Sequence, residues 1–186
     1  MNVRILPIFF ALALLGCPPG PPNFAELAER AYPEHAPADL DSIHKLWTPL
    51  FKLPQWHFLM NQKTAAEKQP SVESIGGETF LMVFTDLPSL KAYAVAIKAT
   101  PESESAASDA GPAQIAFAVP PNPHLAQDGS PLSVSMTPDE ARAFFAGYKG
   151  PQVTGIRFNE GARRGWFAPL PAVEKIHAFL KSDGKL

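Results

Sequence analysis

Glu78-Thr79-Phe80-Leu81-Met82-Val83-Phe84 runs directly into Thr85-Asp86-Leu87-Pro88, and the reading of this junction decides the fold class. Thr79 to Phe84 carries no charge, and its continuous hydrophobicity predicts a strand buried on both faces. Thr85 and Asp86 then offer side-chain oxygens as helix caps. Pro88 falls at an early helical position, where its missing N–H costs nothing. Leu90, Tyr93, Ala94 and Ile97 recur at helical spacing behind it. A strand covered on both faces, followed at once by a helix, requires a sheet with helices packed on it.

The same pattern recurs downstream. Met136 to Tyr148 reads as a helix in which Thr137 caps, Pro138 takes the first helical position and Glu140 completes a capping box. Ala141, Phe144 and Phe145 face inward, and Gly147 or Gly150 ends it. Gln114 to Val119 and Val153 to Phe158 alternate as strands. Asn159-Glu160-Gly161 begins a turn from which Gly165 to Ala168 returns as a hairpin partner. Leu170-Pro171 opens a last helix, with Val173, Ile176, His177 and Leu180 inward and Asp183-Gly184 at its end. Upstream, Asp39 caps a helix carrying Leu40, Ile43, Leu46, Trp47 and Leu50. Pro49 disturbs its last turn, and Trp56 to Met60 reads as a buried strand. Asn61 to Gly77 is expected to be a loop or hairpin connection. Thr100 to Gly111 and Pro120 to Pro131 are expected to be solvated loops. The alternation predicts a mixed α+β fold: a central mixed sheet of about five strands with helices packed on it, in one domain over residues 39–186.

The N-terminus carries a different signal. Met1 to Gly16 has one positive charge, Arg4, and then an apolar run from Ile5 to Leu15 broken only by Pro7. That run has the length of a signal-peptide core and is too short to span a bilayer of about 30 Å. Leu14-Leu15-Gly16-Cys17 resembles the lipobox of bacterial lipoproteins, with Leu15 at a position more often small or hydroxylated. The resemblance implies cleavage before Cys17, lipidation of its thiol and attachment to the cell envelope. In a cell with two membranes the outer one is implied, because no Asp follows Cys17. Several acyl chains on one residue anchor stably where one binds only marginally. Pro18-Pro19-Gly20-Pro21-Pro22 follows, so residues 17–38 read as a proline-rich, semi-rigid tether. It holds one short helix, Phe24 to Ala31, capped by Asn23.

Composition narrows the function classes. With 16 Lys and Arg against 18 Asp and Glu, the chain is close to neutral and shows no basic stripe interleaved with aromatics, so no nucleic acid partner is expected. Cys17 is the only cysteine. Once lipidated, it leaves no thiol for a disulfide, a metal or a nucleophile.

Three blocks carry a family resemblance: Phe80-Leu81-Met82-Val83-Phe84-Thr85-Asp86 running into Leu90-Lys91-Ala92-Tyr93; Met136-Thr137-Pro138-Asp139-Glu140-Ala141; and Val153-Thr154-Gly155-Ile156-Arg157-Phe158-Asn159 with the closing helix. Together they span about residues 40 to 181, and the layout resembles the N-terminal domain of SseB-like proteins. The resemblance implies a fold and brings no catalytic residue with it. The proline-rich insertions and the lipobox depart from a cytosolic member.

Few residues suggest chemistry. His35, His44, His57, His124 and His177 are scattered, with no pair spaced to present two nitrogens to one ion, so neither a metal nor another cofactor is expected. His57, between Trp56 and Phe58, is the one that could line a pocket. Gly76-Gly77 precedes a strand, whereas a phosphate loop follows one and opens a helix. Ser71, Ser74 and Ser89 sit in no nucleophile elbow. Asp86, Asp139 and Glu140 are explained by capping and the helix dipole. Arg163-Arg164 beside Trp166 could grip an anion or a partner's carboxylate; the plainer expectation is a solvated hairpin tip with Trp166 packed beneath. The function expected is that of a non-catalytic envelope lipoprotein, held to the membrane through Cys17 and binding an unknown protein partner. The alternatives are an envelope hydrolase with a site assembled from distant residues, and a cytosolic SseB-like protein whose apolar N-terminus is a core helix.

Overall fold

The computed structural model describes residues 22–34, 37, 39–97, 122–148, 152–161 and 165–186. Its centre is β3 (Glu78–Phe84), whose residues Phe80 to Phe84 are all buried. One edge of β3 pairs in parallel with β5 (Gly155–Phe158), Leu81 opposite Ile156 and Val83 opposite Phe158. The other edge is shared. β1 (Trp56–Leu59) pairs antiparallel at Val83 and Phe84, and β2 (Val72–Ile75) pairs antiparallel from Glu78 to Leu81. Two outer strands complete the sheet: β4 (Ser133–Met136) against β1, and β6 (Trp166–Ala168) against β5, both antiparallel. The order is β4-β1-β3-β5-β6, with β2 lying off this path on β3.

Alternation along β3 splits the core in two. Leu81 and Val83 join Trp56, Phe58, Ile156, Phe158 and Trp166 on one face. There they meet α1 (Phe24–Ala31), α2 (Leu40–Phe51), α5 (Pro138–Gly147) and α6 (Leu170–Ser182). Phe80, Met82 and Phe84 join Leu59 on the other face, under Leu90 and Ala94 of α4 (Leu87–Ala96). The caps are those the sequence dictates. Asp86 accepts from Ser89 N at 2.7 Å, and Thr137 and Glu140 form a reciprocal capping box. This is the mixed α+β architecture expected, with six strands among the described residues rather than about five.

The structure adds three elements and moves one boundary. The stretch 61–77, read as a connection, holds α3 (Gln62–Ala66), β2 and a hairpin turn. Gly76 and Gly77 have φ of +61° and +85°, as a tight type I′ turn requires. Helix α3 buries none of its five residues and stands on the Asn61–Thr64 capping box, so no apolar periodicity could mark it. β4 precedes α5 in a stretch that carried no assignment before Met136; the helix begins at Pro138, and Met136 belongs to the strand. Leu40, the first of the apolar residues at helical spacing, is 69% exposed at the first turn of α2. The tether assigned to 17–38 contains a core element: Phe24, Ala28 and Ala31 are buried against the body, so packing reaches back to α1. The strand expected at Gln114–Val119 lies outside the described residues, as does the loop at Thr100–Gly111. No helix among the described residues is long and apolar enough to cross a membrane.

Candidate functional site

The β5–β6 hairpin carries the one sequence-predicted binding residue that the structure places, Trp166; Arg163, Arg164 and Cys17 lie outside the described residues. Trp166 does not stand on the turn. It is 4% exposed, stacked on Phe158 at 4.9 Å and 12° and on Phe24 of α1 at 6.4 Å. The plainer expectation, an indole packed beneath the hairpin, is what the structure shows. Packing leaves one atom unserved: the Trp166 indole N–H has no hydrogen-bond acceptor among the described residues. A buried donor left unmatched costs about 1–3 kcal/mol.

The strand that holds Trp166 is an edge. Asn159 N donates to Val83 O at 2.8 Å, which turns the odd-numbered residues of β5 toward β3 and leaves Ile156 and Phe158 facing β6. Their partners Ala168 and Trp166 therefore pair inward. The N–H and C=O of Phe167 point away from the sheet, and β6 has no second neighbour among the described strands. The hairpin is held at both ends. Asn159, buried with φ of +49°, accepts from Thr85 N at 2.9 Å and donates to Thr85 Oγ1 at 3.0 Å. Gly155 lies so close to the Ala168 carbonyl and the Phe167 ring that a Cβ would collide with both.

A groove of about 470 Å³ follows this edge. Its walls are Ala28 and Tyr32 of α1, Trp166 and Phe167 of β6, and Ala172 and Ile176 of α6. Tyr32 accepts from the Trp47 indole N–H at 3.2 Å, and burial raises its pKa above the ordinary phenol value. Arg157 also lines the groove, but its Nε is paired closely with Glu160, so the local charge is balanced. Among the described residues the groove is thus mainly apolar, balanced in charge and bordered by an unpaired backbone edge. Such a surface can hold a chain; it offers no nucleophile or base.

The histidines separate into different roles. His57 Nδ1 lies 2.7 Å from Ser135 Oγ, its cross-strand partner on β4. Burial lowers the His57 pKa and the Asp86 charge opposes that shift, so the ring is biased toward its neutral, basic form. The Asp86 carboxylate is itself occupied by Ser89 N, Ser89 Oγ and Thr85 Oγ1. The sequence could not show this pair, because β4 carries no strong strand signal and its partner is 78 residues away. His124 is buried; its Nδ1–H donates to Met60 O at 2.9 Å, and its Nε2 lies 3.6 Å from Glu73. Ser71, also buried, donates to the same Glu73 carboxylate at 2.9 Å. Together these groups fasten the 122–131 loop to β1 and β2. His177 accepts from Arg142 Nη1 at 3.0 Å, while Arg142 grips Glu174 through two bonds of 2.8 and 2.9 Å. His44 stacks on Phe179 at 4.5 Å. His35 lies outside the described residues. No group of three metal-ligating side chains occurs among the described residues. Ser89 and Asp139 serve cap and ion-pair roles at helix starts.

Compared with known protein families, curated proteins and solved structures, the chain matches none.

Proposed function

We propose that this chain is a lipid-anchored protein of the bacterial cell envelope whose domain works by binding a partner. The observation that carries the reading is the place of α1. It begins at Phe24, seven residues after Cys17, and it forms one wall of the groove beside β6. A lipid on Cys17 would hold that groove within reach of the membrane surface, since seven extended residues span at most about 25 Å. The tether is then short, Cys17 to Pro22, and four of its six residues are proline. A proline-rich composition is that of a semi-rigid spacer. The SseB-like resemblance belongs with this proposal. Its blocks fall on β3–α4, β4–α5 and β5, and they supply a fold without a catalytic residue.

The test is fractionation of cells expressing the wild-type chain or Cys17→Ala. The reading expects the wild type in the membrane fraction, released by detergent and not by salt, and the variant in the soluble fraction. Equal distribution of the two would overturn it.

A hydrolase is the second reading, and one observation favours it: the His57–Ser135 contact is at nucleophile–base distance. Ser135 is exposed on an edge strand of the described sheet, and the groove beside β6 does not reach it. A serine-reactive fluorophosphonate probe decides between the two. Labelling that disappears in Ser135→Ala supports the hydrolase, and an unlabelled wild type supports the binder.

A further inference from the structure

We infer that the groove beside β6 takes an extended segment of a partner polypeptide, added as a further strand to the sheet. The inference rests on the binding reading above and is independent of the lipid anchor.

Three features select this occupant. The first is the edge of β6, unpaired among the described strands: the N–H and C=O of Phe167 face outward, and a strand laid alongside forms a pair of main-chain hydrogen bonds with that residue. Neither an acyl chain nor a flat apolar surface satisfies a peptide group. The second is Trp166, which lines the groove and whose buried indole N–H has no acceptor among the described residues. A polypeptide brings a carbonyl at every residue. The third is charge. Arg157, the cation of the groove among the described residues, is already matched by Glu160, so an acidic ligand gains little from it and an uncharged segment is favoured. On either side of the edge stand the apolar walls, Ala28, Ala172 and Ile176 on one flank and the Phe167 ring, 36% exposed, on the other. Alternate side chains of an added strand point to opposite faces and would fill each flank in turn. With only three residues, β6 is short, as exposed edges usually are when they are not meant to pair indiscriminately.

The experiment uses the full chain carrying Cys17→Ala, so that no acyl group is present and the outcome does not depend on the anchor. The probe is an acetylated and amidated Thr-Val-Thr-Val-Thr peptide, titrated while the Trp166 indole N–H and the Phe167 amide are followed by NMR. Two variants accompany it. Phe167→Pro removes the outward N–H at a position where the fold does not use it, and Ala172→Phe fills the groove without touching the edge. Unchanged melting temperatures show that both are folded. The proposal expects both reporter signals to shift, the Phe167 amide to gain protection from exchange, and each variant to bind at least about tenfold more weakly. No shift at millimolar peptide overturns it, as does equal binding by the folded variants. Concentration-dependent dimerisation through β6 would assign the edge to a second copy instead, and vesicle binding lost in Ala172→Phe would assign the groove to lipid. Either result overturns the proposal.

Discussion

Phe158→Leu is the substitution that most severely tests how this core is held. The Phe158 ring is fully buried and lies at the meeting point of all three tryptophans: 4.9 Å from Trp166, 5.3 Å from Trp56 and 5.7 Å from Trp47. It thereby joins β5 to β6, β1 and α2. Leucine keeps most of the burial and removes the ring-to-ring contacts. Aromatic pairs are worth about 0.5–1.5 kcal/mol each beyond area, and some repacking offsets the loss, so the expected cost is roughly 2–3 kcal/mol. For a domain of this size that lowers the melting temperature by roughly 5–10 °C. The assay is thermal and urea unfolding followed by tryptophan fluorescence, with Phe179→Leu as comparison. Phe179 is 48% exposed and touches one ring, His44, so its replacement should stay within about 0.5 kcal/mol. A Phe158→Leu shift under about 2 °C, or one no larger than that of Phe179→Leu, would refute the view that this ring organises the core.

Three further outcomes follow from the geometry. Asn159→Ala removes both bonds to Thr85 and places a Cβ-bearing residue without a compensating side chain at φ of +49°; a loss of about 2–3 kcal/mol is expected in urea unfolding, and a loss under about 0.5 would contradict it. Gly155→Ala forces a methyl into the Ala168 carbonyl and the Phe167 ring; amide exchange at Ile156 and Ala168 should speed up while that of β1 and β2 stays unchanged, and unaltered exchange at β6 would count against the described approach. His177 has its pKa lowered by burial first and by the Arg142 charge second. Unfolding returns it toward its ordinary value of about 6.5, so near and below that pH the unfolded chain binds more protons than the folded one. Stability should therefore fall as pH drops from about 7 through the folded pKa, and His177→Gln should flatten that slope in melts between pH 7.5 and 5.5. His57, shifted in the same direction by burial, adds to the same slope. A melting temperature that rises over this range would contradict both assignments.

The central strand and its helix were legible because three independent signals agree there: a charge-free run, an oxygen cap and an early proline. The same agreement marks α5 at Thr137-Pro138 and explains why its capping box is found where expected. β2 and β4 escaped because they are short and only half-buried. Val72-Glu73-Ser74-Ile75 and Ser133-Val134-Ser135-Met136 each bury little, and their pairing is decided by β3 and β1 rather than by their own composition. Helix α1 was visible as a helix, with Asn23 accepting from Glu26 N as its cap, but not as part of the core. The prolines around it suggested a spacer, and only the stacking of Phe24 on Trp166 shows where it packs. The groove was illegible for the same reason: its walls come from α1, β6 and α6, and one of them had been assigned to the tether. Trp166 packs beneath the hairpin, as the plainer expectation had it; that it walls a groove, with an indole N–H lacking an acceptor among the described residues, was not visible in the sequence.

The most direct measurement of the central claim is the intact mass of the native protein purified from the membrane fraction. The expected species is a chain beginning at Cys17, heavier than its amino-acid sequence by a diacylglycerol and any further acyl chain, and absent from Cys17→Ala cells. An unprocessed chain starting at Met1 with no added mass, recovered from the soluble fraction, would contradict it and would detach the groove from any membrane.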